Sequence, residues 1–434
     1  MMDDEPNEPK EPTAVLVHLS DLHFSIEDPG LEQRRALVRD RVCADLKMLL
    51  PEVGRCADAV LVTGDISYGG KAAEYRMASD WFEQVIEPIT NGSTRLLAVP
   101  GNHDVDWARV GPTHQAHRTH LDGCPDEGLD ALLDRYLTED GQSILYPLDA
   151  YNEFAASLDC QIADRFCWDA PLDIGGGFHL EFRGVTTVVN SYKTDRPGGL
   201  AVHGNQLLHT PSPGAVPILL AHHDPYFWRQ YHRMEREITN RMSVALYGHT
   251  HQPRLRKVEQ CVEITGGAVH PEEGKDWMPW YNVVRLSITD VAETTATLRV
   301  RVWRRRFSTD HDGFIPDAAN GLYEDRFVTV PSALQSAAAR AEDAPDDEEV
   351  RVALTTPEGT PHPVREVQRA LYRLGAGDRI TLLADIGLAV DDLARLPAHR
   401  LIPQAAAAIV DEGRLDAFRA ALAARHRAIS GGPA

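Results

Sequence analysis

The chain has little cysteine, no long apolar run and few basic residues for its size, and each shortage removes a class of function. Its six cysteines, Cys43, Cys56, Cys124, Cys160, Cys167 and Cys261, form no C-x-x-C pair and are too sparse for a disulfide framework. They are expected as reduced, mostly buried thiols of a cytoplasmic protein. No run approaches the length needed to span a bilayer. Met1-Met2-Asp3-Asp4-Glu5-Pro6 is acidic where a signal peptide would be basic and then apolar, so a cytoplasmic chain without membrane contact is expected. Lys and Arg number 44 against 65 Asp and Glu, a formal net charge of -21. Such a chain repels phosphate backbones at long range, which disfavours extended nucleic-acid binding but not a nucleotide in a cleft that supplies its own positive charge.

What is present is the composition of a globular chain, 43% hydrophobic and 25% charged, and 434 residues suggest one large domain plus something smaller. Five short apolar runs end in polar turns. Ala14 to Leu19 runs into Asp21-Leu22-His23, Ala59 to Thr63 into Gly64-Asp65, and Ala98-Val99 into Pro100-Gly101-Asn102-His103-Asp104. Val216 to Leu220 then runs into His222-His223-Asp224, and Val244 to Tyr247 into Gly248-His249-Thr250-His251. Continuous apolar runs bounded by turns read as buried strands of an α/β fold, and side chains just beyond neighbouring strand ends converge on one sheet edge. Seven oxygen and nitrogen ligands gathered there suit two metal ions sharing a bridging group. Because the set is Asp, His and Asn without Cys, divalent Mn, Fe, Zn or Ni is expected, with Mn and Fe favoured. Two such ions suit metal-assisted hydrolysis of a phosphoester.

In chain order, residues 1–12 read as a disordered leader and 13–330 as the main domain. Val38, Val42, Leu46 and Leu49 recur at helical spacing, as do Tyr75, Ala78, Phe82, Val85 and Ile89, with Gly92 marking the end of the second helix. From Val105 to about Gly184 the pattern breaks into loops and short helices, an insertion beside the site. Within it His114, His117 and His120 share one face of a polar helix, expected to be solvated, with a lid touching substrate phosphate as the sharper alternative. Thr186 to Asn190 resumes strand character, and three runs between Val262 and Trp303 suggest further strands with one wet face. Arg304, Arg305 and Arg306 read as charges guarding a sheet edge. Residues 331–363 are an acidic linker rich in Ala and Pro, and 364–430 a small helical bundle without catalytic residues.

D-x-H at Asp21 and His23, G-D at Gly64 and Asp65, G-N-H-D at Gly101 to Asp104, the histidine pair at His222, and G-H-x-H at Gly248 to His251 resemble the calcineurin-like metallophosphoesterase family. The resemblance covers roughly residues 14–305. It implies an αββα two-sheet sandwich in place of the single open sheet that periodicity suggests. It further implies that Asp21, His23 and His251 hold one metal, that Asn102, His222 and His249 hold the other, and that Asp65 bridges them. His222 is preferred over His223 by the family pattern. His103 would stabilise the transition state or protonate the leaving oxygen, oriented by Asp104.

The tail bears its own, looser likeness. Ala370 to Leu374, Leu382 to Leu388 and Arg414 to Phe418 resemble the effector-associated, death-like helical domains of bacterial conflict systems, which implies a protein partner; a plain oligomerisation module fits the same apolar spacing. The expected function is a dimetal phosphoesterase acting on a phosphodiester or nucleotide, with its tail as an interaction module. The alternatives are a signalling adaptor that binds its ligand without turnover, and a nuclease, against which the charge balance argues.

Overall fold

The computed structural model describes residues 11–333 and 363–430, apart from 91–93, 139–142, 163–164, 209–211, 213, 272–276, 318–320 and 391. Residues 1–10 of the expected leader, the bulk of the linker and the helix-ending Gly92 lie outside the described residues. Three of the apolar runs form parallel neighbours, β1 (Thr13–Leu19), β2 (Ala59–Thr63) and β3 (Arg95–Val99), in register Val17 to Val60 and Val60 to Leu96. Helix Pro29–Val53 joins the first two, its amides capped by the Asp28 carboxylate and its end turned by Gly54 at a φ of 94°. Helix Ala72–Trp81, prolonged by a π-helical turn at Phe82–Ile86, leads back to β3.

The second sheet is built from β4 (Cys167–Gly175), β5 (Phe178–Val185), β6 (Ala215–Leu220), β7 (Val244–Tyr247), β8 (Arg254–Val258) and β9 (Cys261–Thr265). Its order is β4-β5-β6-β7-β9-β8, with β5, β6, β7 and β9 parallel. The chain then returns to the first sheet, where β10 (Trp280–Thr289) lies antiparallel to β1, and β11 (Thr295–Ser308), β12 (Gly313–Pro316) and β13 (Glu324–Pro331) complete seven strands. Both sheets are therefore mixed. Alternation along β6 displays the layering: Val216, Ile218 and Leu220 join the large central core, while Leu219 and Ala221 face Met234 and Ile238 of helix Tyr231–Arg241. The result is the two-sheet sandwich with flanking helices.

Four local expectations are corrected. The segment read as loops and short helices up to Gly184 ends in β4 and β5. Asp169, Pro171 and Asp173 on the wet face of the edge strand β4 disguised it. Thr186–Asn190 is not strand, because β5 closes at Val185. The histidine helix Pro112–Gly123 is docked rather than solvated: His114, Arg118 and Leu121, at i, i+4 and i+7, form its buried face. His114 Nε2 donates to the Ile144 carbonyl at 3.1 Å, and the His117 ring lies 4.4 Å from that of Tyr136. The Arg304 to Arg306 cluster lies on β11, which is paired on both sides, so it guards no free edge. Arg304 pairs with Asp317 at 2.7 Å, and buried Arg305 donates to Asp45 at 2.7 Å.

The C-terminal residues form helices Pro363–Arg373, Ala376–Asp385, Ala398–Asp411 and Leu415–Ser430. Val367, Leu371, Leu382, Ile402 and Phe418 are buried in the same continuous core as the sheets. No helix among the described residues is long and apolar enough to cross a membrane.

Candidate metal centre

The polar turns after β1 and β2 run side by side beyond the sheet. Asp21 N–H donates to the Gly64 carbonyl (3.1 Å), His23 N–H to the Asp65 carbonyl (3.0 Å) and Phe24 N–H to the Ile66 carbonyl (2.9 Å). Of the seven expected ligands, Asp21, His23, Asp65, His249 and His251 have positive φ, between 47° and 65°. Each such residue costs about 1 kcal/mol or more, a strain that persists only where the surroundings impose it and that clusters at functional sites. Here it turns five side chains out of their strand directions toward one point.

All seven converge. His251 Nε2 is 3.1 Å from Asp21 Oδ1, and His23 Nε2 is 3.2 Å from Asp65 Oδ2. Asn102 Oδ1 is 3.1 Å from both His222 Nε2 and His249 Nδ1, and His222 Nε2 is 3.5 Å from Asp65 Oδ2. Donors bonded at about 2.1 Å to one ion stand about 3.0–3.4 Å apart around an octahedral or tetrahedral centre, so these spacings fit ligands of common ions. Asp65 belongs to two donor groups, one with His23 and His103 and one with Asp21 and His222, each held within 4.8 Å. Asp21, His23, Asp65, Asn102 and His222 are buried, whereas His103, His249 and His251 are part-exposed, which makes a closed floor with an open rim.

The electrostatics match that donor set. Burial works against charge on both carboxylates, yet His251 and His222 near Asp21, and His222, His23 and His103 near Asp65, outweigh it and hold both well below the usual range. Burial favours neutral His23, and with His223 and His222 nearby it pushes His249 down to about 2. On His222 burial opposes the proton, but Asp65 and Asp21 prevail and raise its pKa. A cation is thus wanted between the carboxylates. Ionised carboxylates beside neutral His23 and His249 are what divalent ions require, and an ion there would replace the proton that Asp65 and Asp21 draw onto His222.

Neighbouring groups orient the donors. His222 Nδ1–H donates to the Thr63 carbonyl at 2.7 Å, leaving Nε2 as the free donor atom, and the Ser20 hydroxyl donates to Asp21 Oδ2 at 2.5 Å. His223 also stands in a donor group with His222 and His249, within 4.8 Å, but its Nε2 is 3.1 Å from Asp195 Oδ2 and its Nδ1 2.8 Å from Thr187 Oγ1. His103 Nδ1–H points at the Tyr68 carbonyl (3.1 Å), the Tyr68 ring stacks on the imidazole at 5.1 Å, and His103 N–H donates to Asp65 Oδ1 at 2.8 Å.

Asp104 acts differently from the expectation that it orients the His103 ring. Its buried carboxylate accepts Gly101 N–H (2.8 Å), Ser67 N–H (2.9 Å) and the Tyr75 hydroxyl (2.8 Å), locking the β2 and β3 turns together. The ring's orientation comes from Tyr68 instead. Sequence reasoning missed Tyr68, Tyr75, Thr187 and Asp195. Tyr68 follows the G-D motif by three residues and carried a signal of position alone; the other three stand in no motif.

A family model for calcineurin-like phosphoesterases (Metallophos) matches residues 14–253, more than half of the chain. A search of curated proteins finds no match. Among solved structures the chain is similar to a conserved Streptococcus pneumoniae TIGR4 protein described as a predicted phosphoesterase, at 12% identity over 73% of this chain and 98% of that one, with a TM-score of 0.26. It is also similar to Plasmodium GAP50, described as the anchor in the inner membrane complex, at 11% identity over 75% and 94%, with a TM-score of 0.35. Chaetomium thermophilum Vps29 matches at 12% identity over 74% and 95%, with a TM-score of 0.27.

Proposed function

Because the chain belongs to the calcineurin-like phosphoesterase family, we propose that it hydrolyses a phosphodiester or nucleotide at a dinuclear metal centre. Asp21, His23 and His251 would hold one ion and Asn102, His222 and His249 the other, with Asp65 shared. The observation that carries this reading is the membership of Asp65 in two donor groups at once. When bound, the two ions supply Lewis-acid polarisation of the phosphoryl group and a water activated for attack.

The chain's own residues do the rest. Asn102 and His222 belong to the buried floor, and the part-exposed edge at His103, His249 and His251 admits the substrate. His103, protonated on both ring nitrogens with Nδ1–H held by the Tyr68 carbonyl, presents Nε2–H to the leaving oxygen and becomes the neutral ring as it passes that proton on. A diester is favoured over a monoester on charge. The net charge of -21 repels a dianion more than a monoanion, and the nearby guanidinium of Arg35 is engaged with the His23 carbonyl at 2.7 Å and with the Tyr68 ring.

The deciding experiment is elemental analysis of purified protein, paired with hydrolysis of bis-p-nitrophenyl phosphate and p-nitrophenyl phosphate with added Mn and with chelator. About two metals per chain and chelator-sensitive cleavage of the diester are expected. Preference for the monoester would turn the reading to a phosphatase. No metal and no cleavage after Mn is restored would leave a ligand-binding adaptor.

A further inference from the structure

The C-terminal helices reach the catalytic turn through an unbroken line of aromatic rings. Tyr372, buried on helix Pro363–Arg373, sets its ring edge-on to Phe154 at 6.1 Å. Phe154, on helix Asp149–Ala155 of the insertion, stacks on Tyr75 at 5.3 Å and 26°. The Tyr75 hydroxyl donates to Asp104, the carboxylate that holds Gly101 and Ser67 together beneath Asn102 and His103. A second strut runs in parallel: Tyr151, on the same insertion helix, packs edge-on to Tyr75 at 6.3 Å and donates its hydroxyl to the Ala98 carbonyl of β3 at 2.9 Å.

The tail is clamped where this line begins. Gln368 donates to Asp159 at 2.6 Å, Arg369 pairs with Glu87, Arg373 with Glu83 and Arg379 with Glu153, so cationic tail side chains meet anionic core ones. Buried apolar residues of the tail helices join the core that runs through the sheets. Close-packed buried rings do not yield one at a time, so a shift at Tyr372 displaces Phe154 and Tyr75 with it.

We propose that the C-terminal helices act in cis as a positioning element, setting the Asn102–His103 turn through the line Tyr372, Phe154, Tyr75 and Asp104. Tyr372 and Tyr75 are thereby positioning residues for the hydrolysis proposed above, on which this inference rests. A partner that peels the tail from the insertion would lower turnover without touching the metal centre.

The test uses the full chain in a double-mutant cycle of Tyr372→Leu, which keeps apolar volume but loses the ring, and Tyr75→Phe, which loses only the hydroxyl. Steady-state kinetics on bis-p-nitrophenyl phosphate with Mn and metal content are read for each. Each single variant is expected to lower kcat about tenfold with KM and metal content unchanged. The double is expected to fall no further than the lower single, and Tyr372→Phe to restore wild-type kcat. An unchanged kcat in Tyr372→Leu, or two drops that multiply in the double, overturns the proposal.

Hydrogen exchange at Gly101 and Ser67 gives a readout independent of turnover. Faster exchange in metal-loaded Tyr372→Leu supports the line even if the wild type cleaves nothing, a result that would sink the proposed hydrolysis alone; equal exchange overturns the line. Should Tyr372→Leu not fold, linkage supplies the reverse measurement: Tyr75→Phe must speed exchange in Pro363–Arg373, and unchanged exchange there refutes the coupling.

Discussion

Gly101→Ala tests whether the two turns beneath the centre must touch. A Cβ built on Gly101 would meet the Asp65 carboxylate and lie 2.5 Å from the Asp65 backbone nitrogen, where real Cβ contacts are essentially never under 3.0 Å. The backbone contact cannot be relieved by rotating a side chain, so the β2 and β3 turns must part by half an ångström or more. Gly101 has an extended φ of -109°, so alanine adds no backbone strain and the effect is steric. Overpacking of this kind costs about 1–3 kcal/mol of stability. Function should suffer more than folding, because Asp65 is the shared carboxylate and catalytic groups tolerate displacements of only about 0.5 Å. A loss of about 10–100-fold in kcat/KM is expected, with metal content falling below that of the wild type. Diester hydrolysis, elemental analysis and thermal unfolding on the same preparation measure all three. Wild-type turnover with full metal occupancy would refute the claim that the turns are in forced contact.

His103→Ala is expected to lower kcat by about 100-fold or more while metal content stays at the wild-type level; full turnover in that variant would remove His103 from the mechanism. Burial pushes the His114 imidazole down to about 4 from 6.5, so between those values the unfolded chain takes up a proton that the folded chain refuses. Its contribution is complete above pH 6.5 and is lost as pH falls toward 4, so urea denaturation should show stability declining more steeply from pH 7 to pH 5 in the wild type than in His114→Gln. Equal slopes would contradict the assignment of a neutral buried ring. Burial also raises the Cys43 and Cys160 thiols to about 12, and Cys56 is the exposed cysteine. A thiol reagent at pH 8 should therefore label Cys56 at once and Cys43 and Cys160 only in denaturant, as peptide mapping of the labelled sites would reveal.

The strand ends were legible because burial on both faces leaves a continuous apolar run that stops abruptly at a turn. β1, β2, β6 and β7 begin and end within a residue of the sequence reading, and β3 ends where expected. β4 was not legible, since an edge strand with Asp, Pro and Gly on its wet face loses the pattern that marks a central one. Nor was the docking of the histidine helix. Three histidines at a spacing of three drift around the helix, and the face that buries is set by what lies opposite, Ile144 and Tyr136, rather than by the helix itself.

The sequence by itself determined which polar turns follow the apolar runs, placing the candidate ligands Asp21, His23, Asp65, Asn102, the His222-His223 pair, His249 and His251 at strand ends, and it determined the order in which the two sheets receive them. Tertiary structure alone decided what each polar group does with its remaining bonds. It placed His222 Nε2 3.5 Å from Asp65 and His223 Nε2 3.1 Å from Asp195, put the Tyr68 carbonyl rather than Asp104 on the His103 ring, and spent Asp104 on the turns beneath. It also laid the tail against the insertion, within reach of Tyr75 through Phe154. The physical reason is one of range. Strand and turn propensities act over a few residues, while hydrogen-bond partners and ring contacts join residues tens to hundreds of positions apart, and only the packed chain brings those together.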